Sequence, residues 1–203
     1  MIVGVVLAAG AGRRFGAPKQ LADLDGRPML ERVLAAIAAA PLDRAFVVLG
    51  AEAEAILERV DLRGTEAVIC EDWEDGLSAS LRTGVACADA CGAESAVVVL
   101  GDQPMISPNS IARTIEARGG VLAVRANYAG TPAHPVLLER ELFVRVGELR
   151  GDAGARALLI GLPVREVDCD GLGRPDDVDT PSELEAVRAR ASFYWLGRLP
   201  PPR

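Results

Sequence analysis

The chain has 203 residues, enough for one α/β domain with a substantial core. Half of it is hydrophobic, aromatic residues make up only 4%, and the formal net charge of −7 argues against a general affinity for nucleic-acid backbones. No apolar run is long enough to span a bilayer, and no basic segment precedes the first strand, so a cytoplasmic location away from membranes is expected.

Ile2 to Leu7 is an apolar run, rich in β-branched residues and too short for a typical helix. It reads as a buried strand of a parallel sheet. The run breaks into Ala8, Ala9, Gly10, Ala11 and Gly12, followed by Arg13, Arg14 and Lys19. Glycines let another group approach the backbone closely. Successive N–H groups in such a loop make a concave anion site. A strand that ends in a glycine-rich, cationic loop is the physical description of a polyphosphate site. Two common phosphate motifs do not fit it. The dinucleotide fingerprint wants its third glycine where Phe15 stands, and no Gly-Lys-Ser/Thr occurs.

Leu24 to Pro28 predicts a turn, and a helix follows from Pro28 to about Ala40, with Met29, Leu30, Val33, Leu34 and Ile37 on one stripe. Ala45 to Leu49 is a second strand, Glu52 to Val60 a short helix, and Glu66 to Cys70 a third strand. This alternation predicts an α/β fold of three layers, a doubly wound and mostly parallel sheet with helices on both faces. Ligands in such sheets gather beyond the carboxyl ends of the strands, where the Gly10 loop lies. Trp73 to Gly84 follows the third strand and runs into a helix. Gly76 there can bring the backbone close to a planar ligand, and Ser78 and Ser80 either donate to base edges or cap the helix.

Ser95 to Leu100 is a fourth strand ending in Gly101-Asp102-Gln103-Pro104. A carboxylate at the end of a buried strand costs desolvation unless it is paired or metal-bound. Beside a phosphate loop, Asp102 suits Mg²⁺, which takes one or two carboxylates plus substrate phosphates. A helix over residues 108–118 leads to strands at 121–124 and 133–138, a hairpin-like insertion at the sheet edge that carries His134, the only histidine. Gly151 and Asp152 suit the cap of a helix over residues 153–160, while Arg150 and Arg156 either meet an anionic acceptor or are solvated. After a late strand at 164–167, Asp179 is either a second metal carboxylate or, with Thr180, a helix cap. Pro181 opens a helix through about Arg190. The expected organisation is one domain over 1–191 and an appended tail over 192–203. Cys70, Cys87, Cys91 and Cys169 include no C-x-x-C pair and read as buried free thiols.

Five motifs in order carry a resemblance that covers almost the whole chain: Leu7-Ala8-Ala9-Gly10-x-Gly12-x-Arg14-x-Gly16-x-Pro18-Lys19, Asp75-Gly76-Leu77-x-x-Ser80-Leu81, Gly101-Asp102-Gln103-Pro104, His134-Pro135 and Asp177-Val178-Asp179-Thr180-Pro181. The chain resembles the molybdenum cofactor cytidylyltransferases, a branch of the MobA-like nucleotidyltransferases. Ala133 stands where that branch commonly has glycine. The resemblance implies transfer of CMP from CTP to the terminal phosphate of molybdenum-bound molybdopterin, with release of pyrophosphate. It implies that Leu7, Ala8, Ala9, Gly10, Gly12 and Arg13 bind the nucleotide, with the Gly10–Gly12 backbone and either Arg13 or Arg14 on its phosphates. Gly76, Leu77 and Ser80 would read the base, and Arg13, Lys19 and Asp102 would carry catalysis. Asp102 and Asp179 would hold Mg²⁺ or Mn²⁺, and His134 and Arg156 would face the acceptor. A molybdenum hydroxylase is the implied transient protein partner, and the oligomeric state is open. Four other readings stand beside this one: a guanylyltransferase, a nucleotidyltransferase for another phosphorylated acceptor, a non-catalytic cofactor carrier, and a dehydrogenase.

Overall fold

The structure, a computed structural model, describes residues 1–195. Strands β1 (Ile2–Leu7), β2 (Arg44–Leu49), β3 (Glu66–Ile69) and β4 (Ser95–Leu100) alternate with helices α1 (Met29–Ala38), α2 (Ala53–Arg59) and α3 (Leu77–Ala90). Helix α4 (Pro108–Glu116) leads to the hairpin of β5 (Ala123–Tyr128) and β6 (Thr131–Glu139). Short helices α5 (Phe143–Val146) and α6 (Ala155–Leu158), strand β7 (Val164–Asp168) and helix α7 (Pro181–Trp195) complete the described chain. The seven strands form one sheet in the order β3-β2-β1-β4-β6-β5-β7. β1 pairs in parallel with β2 and with β4, and Leu7 lies level with Val48 and Leu100, so the loops after β1 and β4 leave the sheet side by side.

The core follows the two-residue period of β1. Val3, Val5 and Leu7 pack with Leu81, Val85 and Phe143 on one face, and Val6 packs with Leu30, Leu34 and Ile37 on the other. Each of these large side chains, fully buried, contributes roughly 1.5–3 kcal/mol. A separate cluster of Leu24, Met29, Met105, Val178, Leu184 and Val187 fastens α7 and the segment before it against the loop after β4. That cluster brings two distant carboxylates together.

The expected three-layer α/β class is the observed one, with a difference in where the hairpin sits. β6 joins the sheet through antiparallel pairing with β4, from Ser95↔Glu139 to Val98↔Val136, and β7 lies outside the hairpin on β5. Pro132 and Pro135 suggest an edge strand because proline cannot donate to a ladder. Both lie beyond the stretch that pairs with β4, and the register shift between Arg125 and Ala126 leaves His134 and Pro135 bulged out of the β5 ladder. The late helix is shorter than expected, Ala155–Leu158, and its N-cap is Gly154 rather than Gly151 or Asp152. The last helix continues to Trp195, past Arg190, and the rest of the expected tail lies outside the described residues. All four cysteines are free, with Cys70 and Cys169 buried and Cys87 and Cys91 half-buried.

Candidate active site

Beyond β1 the chain keeps bonding to its neighbours for two more residues: Ala8 donates to Val48 O at 2.9 Å, and Ala51 donates to Ala9 O at 3.0 Å. Buried Gln20 then folds back and donates from one amide nitrogen to Ala8 O at 2.7 Å and to Gly10 O at 2.8 Å. The two bonds fix the start of the loop. Gly12 turns it, with φ of +62° and no room for a Cβ, which would lie 2.5 Å from Ala17 O. Phe15 and Gly16 donate back to Gly12 O and close the turn. The N–H groups of Ala11, Gly12 and Arg13 have no protein acceptor among the described residues. Such a row of free donors is a cradle for an anion.

These residues form one wall of a cleft of about 470 Å³. Leu7, Ala9, Gly10, Gly12, Arg13, Gly76, Leu77, Ser80 and Asp102, all candidates from the sequence, line it. Ala8 lies behind the wall, buried, and takes part through its backbone. The opposite wall is the Trp73–Asp75 turn and the start of α3. Gly76, at φ +96°, allows that wall to meet the segment before α6: a Cβ there would lie 2.6 Å from Asp152 Oδ1 and 2.7 Å from Gly151 O. Ser78 N donates to Gly151 O at 3.0 Å, and Arg82 donates to Leu149 O at 2.7 Å. Ser78 is therefore turned away from the cleft, and Ser80 faces it.

Lys19, Asp102 and Asp179 come together from three separate parts of the chain. Lys19 Nζ donates to Asp102 Oδ2 at 2.7 Å and to Asp179 Oδ1 at 2.8 Å, and Arg14 takes the other oxygen of Asp179 at 2.8 Å. Burial opposes the charge on Lys19, but Asp102 and Asp179 outweigh it and hold the ammonium above its usual pKa. Burial likewise opposes the charge on Asp179, and its bonds to Lys19 and Arg14 hold that carboxyl below the usual range. The two adjacent arginines thus separate: Arg14 belongs to the carboxylate network, and Arg13 lines the cleft. Asp179 is no helix cap. Thr180 is, in a reciprocal box with Glu183, whose carboxylate accepts from Asp179 N and Thr180 N at 2.8 Å each.

Gln103, unassigned from the sequence, ties the network down. Its amide donates to Asp177 Oδ1 at 2.8 Å and to Pro175 O at 3.3 Å, while Val178 N donates to Asp102 O at 2.9 Å. Burial pushes the Asp177 carboxyl up, its bond to Gln103 pulls it down, and the charges of Asp102 and Asp179 add to the rise. Asp152, Trp73 and Glu74 also line the cleft without having been singled out for it. His134 and Arg156 are not among its lining residues. Arg156 is exposed on α6, and burial of the His134 ring lowers its pKa to about 4, so it is neutral near pH 7.

The family model for the MobA-like NTP transferase domain matches residues 4–167. The chain belongs to this family of nucleotidyltransferases. Among the relatives of this MobA-like chain, nicotine blue oxidoreductase of Paenarthrobacter nicotinovorans is 31% identical, covering 90% of this chain and 94% of its own. The purine catabolism protein PucB of Bacillus subtilis is 30% identical, covering 94% and 98%. The crystal structure of Rv0371c of Mycobacterium tuberculosis in complex with manganese superposes with a TM-score of 0.81 at 33% identity, covering 93% of this chain and 98% of that one. The first two relatives are named for different processes. No helix among the described residues is long and apolar enough to cross a membrane.

Proposed function

We propose that this chain is a cytidylyltransferase that moves CMP from CTP to the terminal phosphate of molybdenum-bound molybdopterin and releases pyrophosphate. The observation that carries the reading is the free-donor loop and Asp102 lining one cleft, with Lys19 and Asp179, which do not line it, joined to Asp102 in one network. The family membership supports a nucleoside triphosphate, and the resemblance of the Gly76-Leu77-x-x-Ser80-Leu81 segment to the cytidylyl branch supports CTP.

The residues fit a divalent cation. Asp102 Oδ1 is buried and has no hydrogen-bond partner among the described residues, and Asp102 and Asp179 together supply two hard oxygen donors. With two carboxylates from the chain, Mg²⁺ or Mn²⁺ would take its remaining ligands from phosphate oxygens and water. The ion would neutralise charge on the nucleotide's phosphates.

The remaining work falls to the chain itself. The Ala11–Arg13 N–H groups bind the triphosphate, and Arg13 adds charge where pyrophosphate departs. Lys19 balances the anion that builds up as the acceptor phosphate meets the α-phosphorus. Bringing two anions together is mainly a matter of position and charge, so these donors carry the catalysis. No protein base is needed, because a phosphate monoester is already ionised near pH 7. Gly76, Leu77 and Ser80 read the base. In this reading His134 and Arg156 serve the acceptor from outside the cleft, and product passes to a molybdenum hydroxylase.

A thermal-shift panel of CTP, GTP and NADH, each with and without Mg²⁺, tests the nucleotide. Ligand at 100 times its dissociation constant stabilises by about 2.7 kcal/mol. A CTP-selective, Mg²⁺-dependent shift is expected, followed by pyrophosphate release when loaded molybdopterin is added. The name of the Paenarthrobacter relative favours one second reading, a redox enzyme. A shift with NADH alone would replace the cytidylyl reading with that one.

A further inference from the structure

Lysine and arginine together number 22 in this chain, and Lys19 is the only lysine among them. Every other cationic side chain is an arginine. The two are not equivalent. Arginine locks a carboxylate with a rigid planar fork, whereas lysine is a compact point charge on a flexible stem that can change partners. The one lysine stands where two carboxylates converge, 2.7 Å from Asp102 and 2.8 Å from Asp179, with its side chain only 13% exposed. A divalent cation would need the same two carboxylates.

Charge counting makes the arrangement informative. Asp102 and Asp179 each have a cationic partner in Lys19 or Arg14, and Asp177 beside them is held by Gln103, so every carboxylate of the network is bonded without any ion. A divalent cation entering alone would have to displace the Lys19 ammonium from both carboxylates and leave that charge without a partner. One arriving with a triphosphate would not strand it, because the phosphates bring more negative charge than the ion removes and give Lys19 a new partner. The network is nevertheless unsaturated at one atom. Asp102 Oδ1 is buried and has no hydrogen-bond partner among the described residues, a position that Lys19 does not satisfy.

The geometry points to Lys19 as the exchangeable counter-ion of the Asp102–Asp179 pair: its ammonium holds the two carboxylates together in the nucleotide-free protein and gives them up when a triphosphate and a divalent cation enter. The metal site is thereby kept closed until nucleotide is present. This inference rests on the nucleotidyl-transfer reading and adds an order of events to it.

The test is Mn²⁺ binding to the full chain without nucleotide, read from the electron paramagnetic resonance of free Mn²⁺. Wild type is expected to bind weakly. Lys19→Met, which keeps the stem and removes the charge, is expected to bind at least ~10-fold more tightly, the scale of a lost charge-assisted contact. Lys19→Arg, which keeps the charge, should not gain affinity, and adding Asp102→Asn to Lys19→Met should abolish the gain. Unchanged or weaker Mn²⁺ binding by a folded Lys19→Met protein overturns the exchange. A second measurement needs no variant. Because the chain has one lysine, isotope-labelled lysine gives a single side-chain signal in nuclear magnetic resonance. That signal should move when saturating Mg²⁺ is added alone at high concentration, and at far lower Mg²⁺ when CTP is present. A signal unmoved by bound Mg²⁺ also overturns the proposal. If CTP binds in no arm, the cytidylyl reading fails, while the nucleotide-free Mn²⁺ comparison still decides the exchange.

Discussion

The two ends of the cleft are built differently. The end around Gly10, Lys19 and Asp102 grows out of the central strands β1 and β4, and side chains from distant parts of the chain lock it, with Lys19, Asp102 and Asp179 each no more than a quarter exposed. The end around Trp73 to Ser80 rests on a peripheral turn and on the Gly151–Asp152 segment, and Glu74, Leu77 and Asp152 are exposed there. Handling charge requires donors fixed in advance, because their stabilisation is lost if they must reorganise. Reading a base requires only a few groups on a surface that can change. In the proposed reading, the locked end carries the phosphate chemistry and the other end the choice of base.

The largest effect should come from the rigid end. Asp102→Ala removes a metal donor and leaves Lys19 with one carboxylate. Turnover, followed as pyrophosphate release, should fall by at least ~10²-fold. Unchanged turnover would remove Asp102 from catalysis, and product binding by a wild type that shows no turnover would favour a carrier. Gly76→Ala strikes the other end. Its φ of +96° and the 2.6 Å approach of Asp152 Oδ1 force the loop to move. Strain of roughly 1–3 kcal/mol is expected at such a residue. CTP affinity should drop about 10-fold by calorimetry, while inorganic pyrophosphate binds as before. Equal loss of both ligands would mean the two ends do not act separately.

Most of the rigid end was legible in the sequence, for local reasons. Ile2 to Leu7 is a strand by composition, the glycines after it announce the loop, and Asp102 ends a strand whose bounds, Ser95–Leu100, follow from six successive residues. The rest was set by contacts between distant segments. Asp152 suits a cap by residue type, and it reaches the cleft only because Arg82 and Ser78 hold residues 149 and 151 from across the fold. The two prolines of β6 argue for an edge strand, and a bulge makes an interior position compatible with them. Gln103 stands in the Gly101-Asp102-Gln103-Pro104 motif with no role assigned, since an amide after a strand-end aspartate gains its role only from Pro175 and Asp177.

Gln103 therefore offers a finer test of how the rigid end is held. Gln103→Leu keeps the volume and removes the bonds to Asp177 and Pro175. Stability should fall by about 1 kcal/mol in chemical denaturation, since the Asp177 carboxylate and Pro175 O lose the donor that buried Gln103 gives them. The KM for the metal–nucleotide complex should rise several-fold, with a smaller change in kcat, because Asp179 is displaced rather than removed. A loss of stability with an unchanged KM would show that Gln103 braces the fold without positioning the site.

The smallest effect, and the one that resolves neighbours, is the pH dependence of two aspartates two residues apart. Asp179 has its folded pKa lowered below the ordinary 3.8, so it contributes stability that is present above that value and lost as pH falls through the folded one. Asp177 has its folded pKa raised above 3.8, so its native form takes up a proton first and stability is gained as pH falls through that range. Asp179→Asn should lower Tm at pH 7, and the deficit should close in acid. Asp177→Asn, whose amide oxygen still accepts from Gln103, should leave Tm equal or higher at pH 7, and the wild type should catch up as pH falls. Both shifts should be on the order of 1–3 °C, because Asp179 is partly exposed and the pairs are screened. Thermal melts from pH 7 to 3 check the signs. A Tm raised at pH 7 in both variants would mean that burial, rather than Lys19 and Arg14, dominates the whole segment, and a Tm lowered in both that the bond from Gln103 outweighs burial at Asp177.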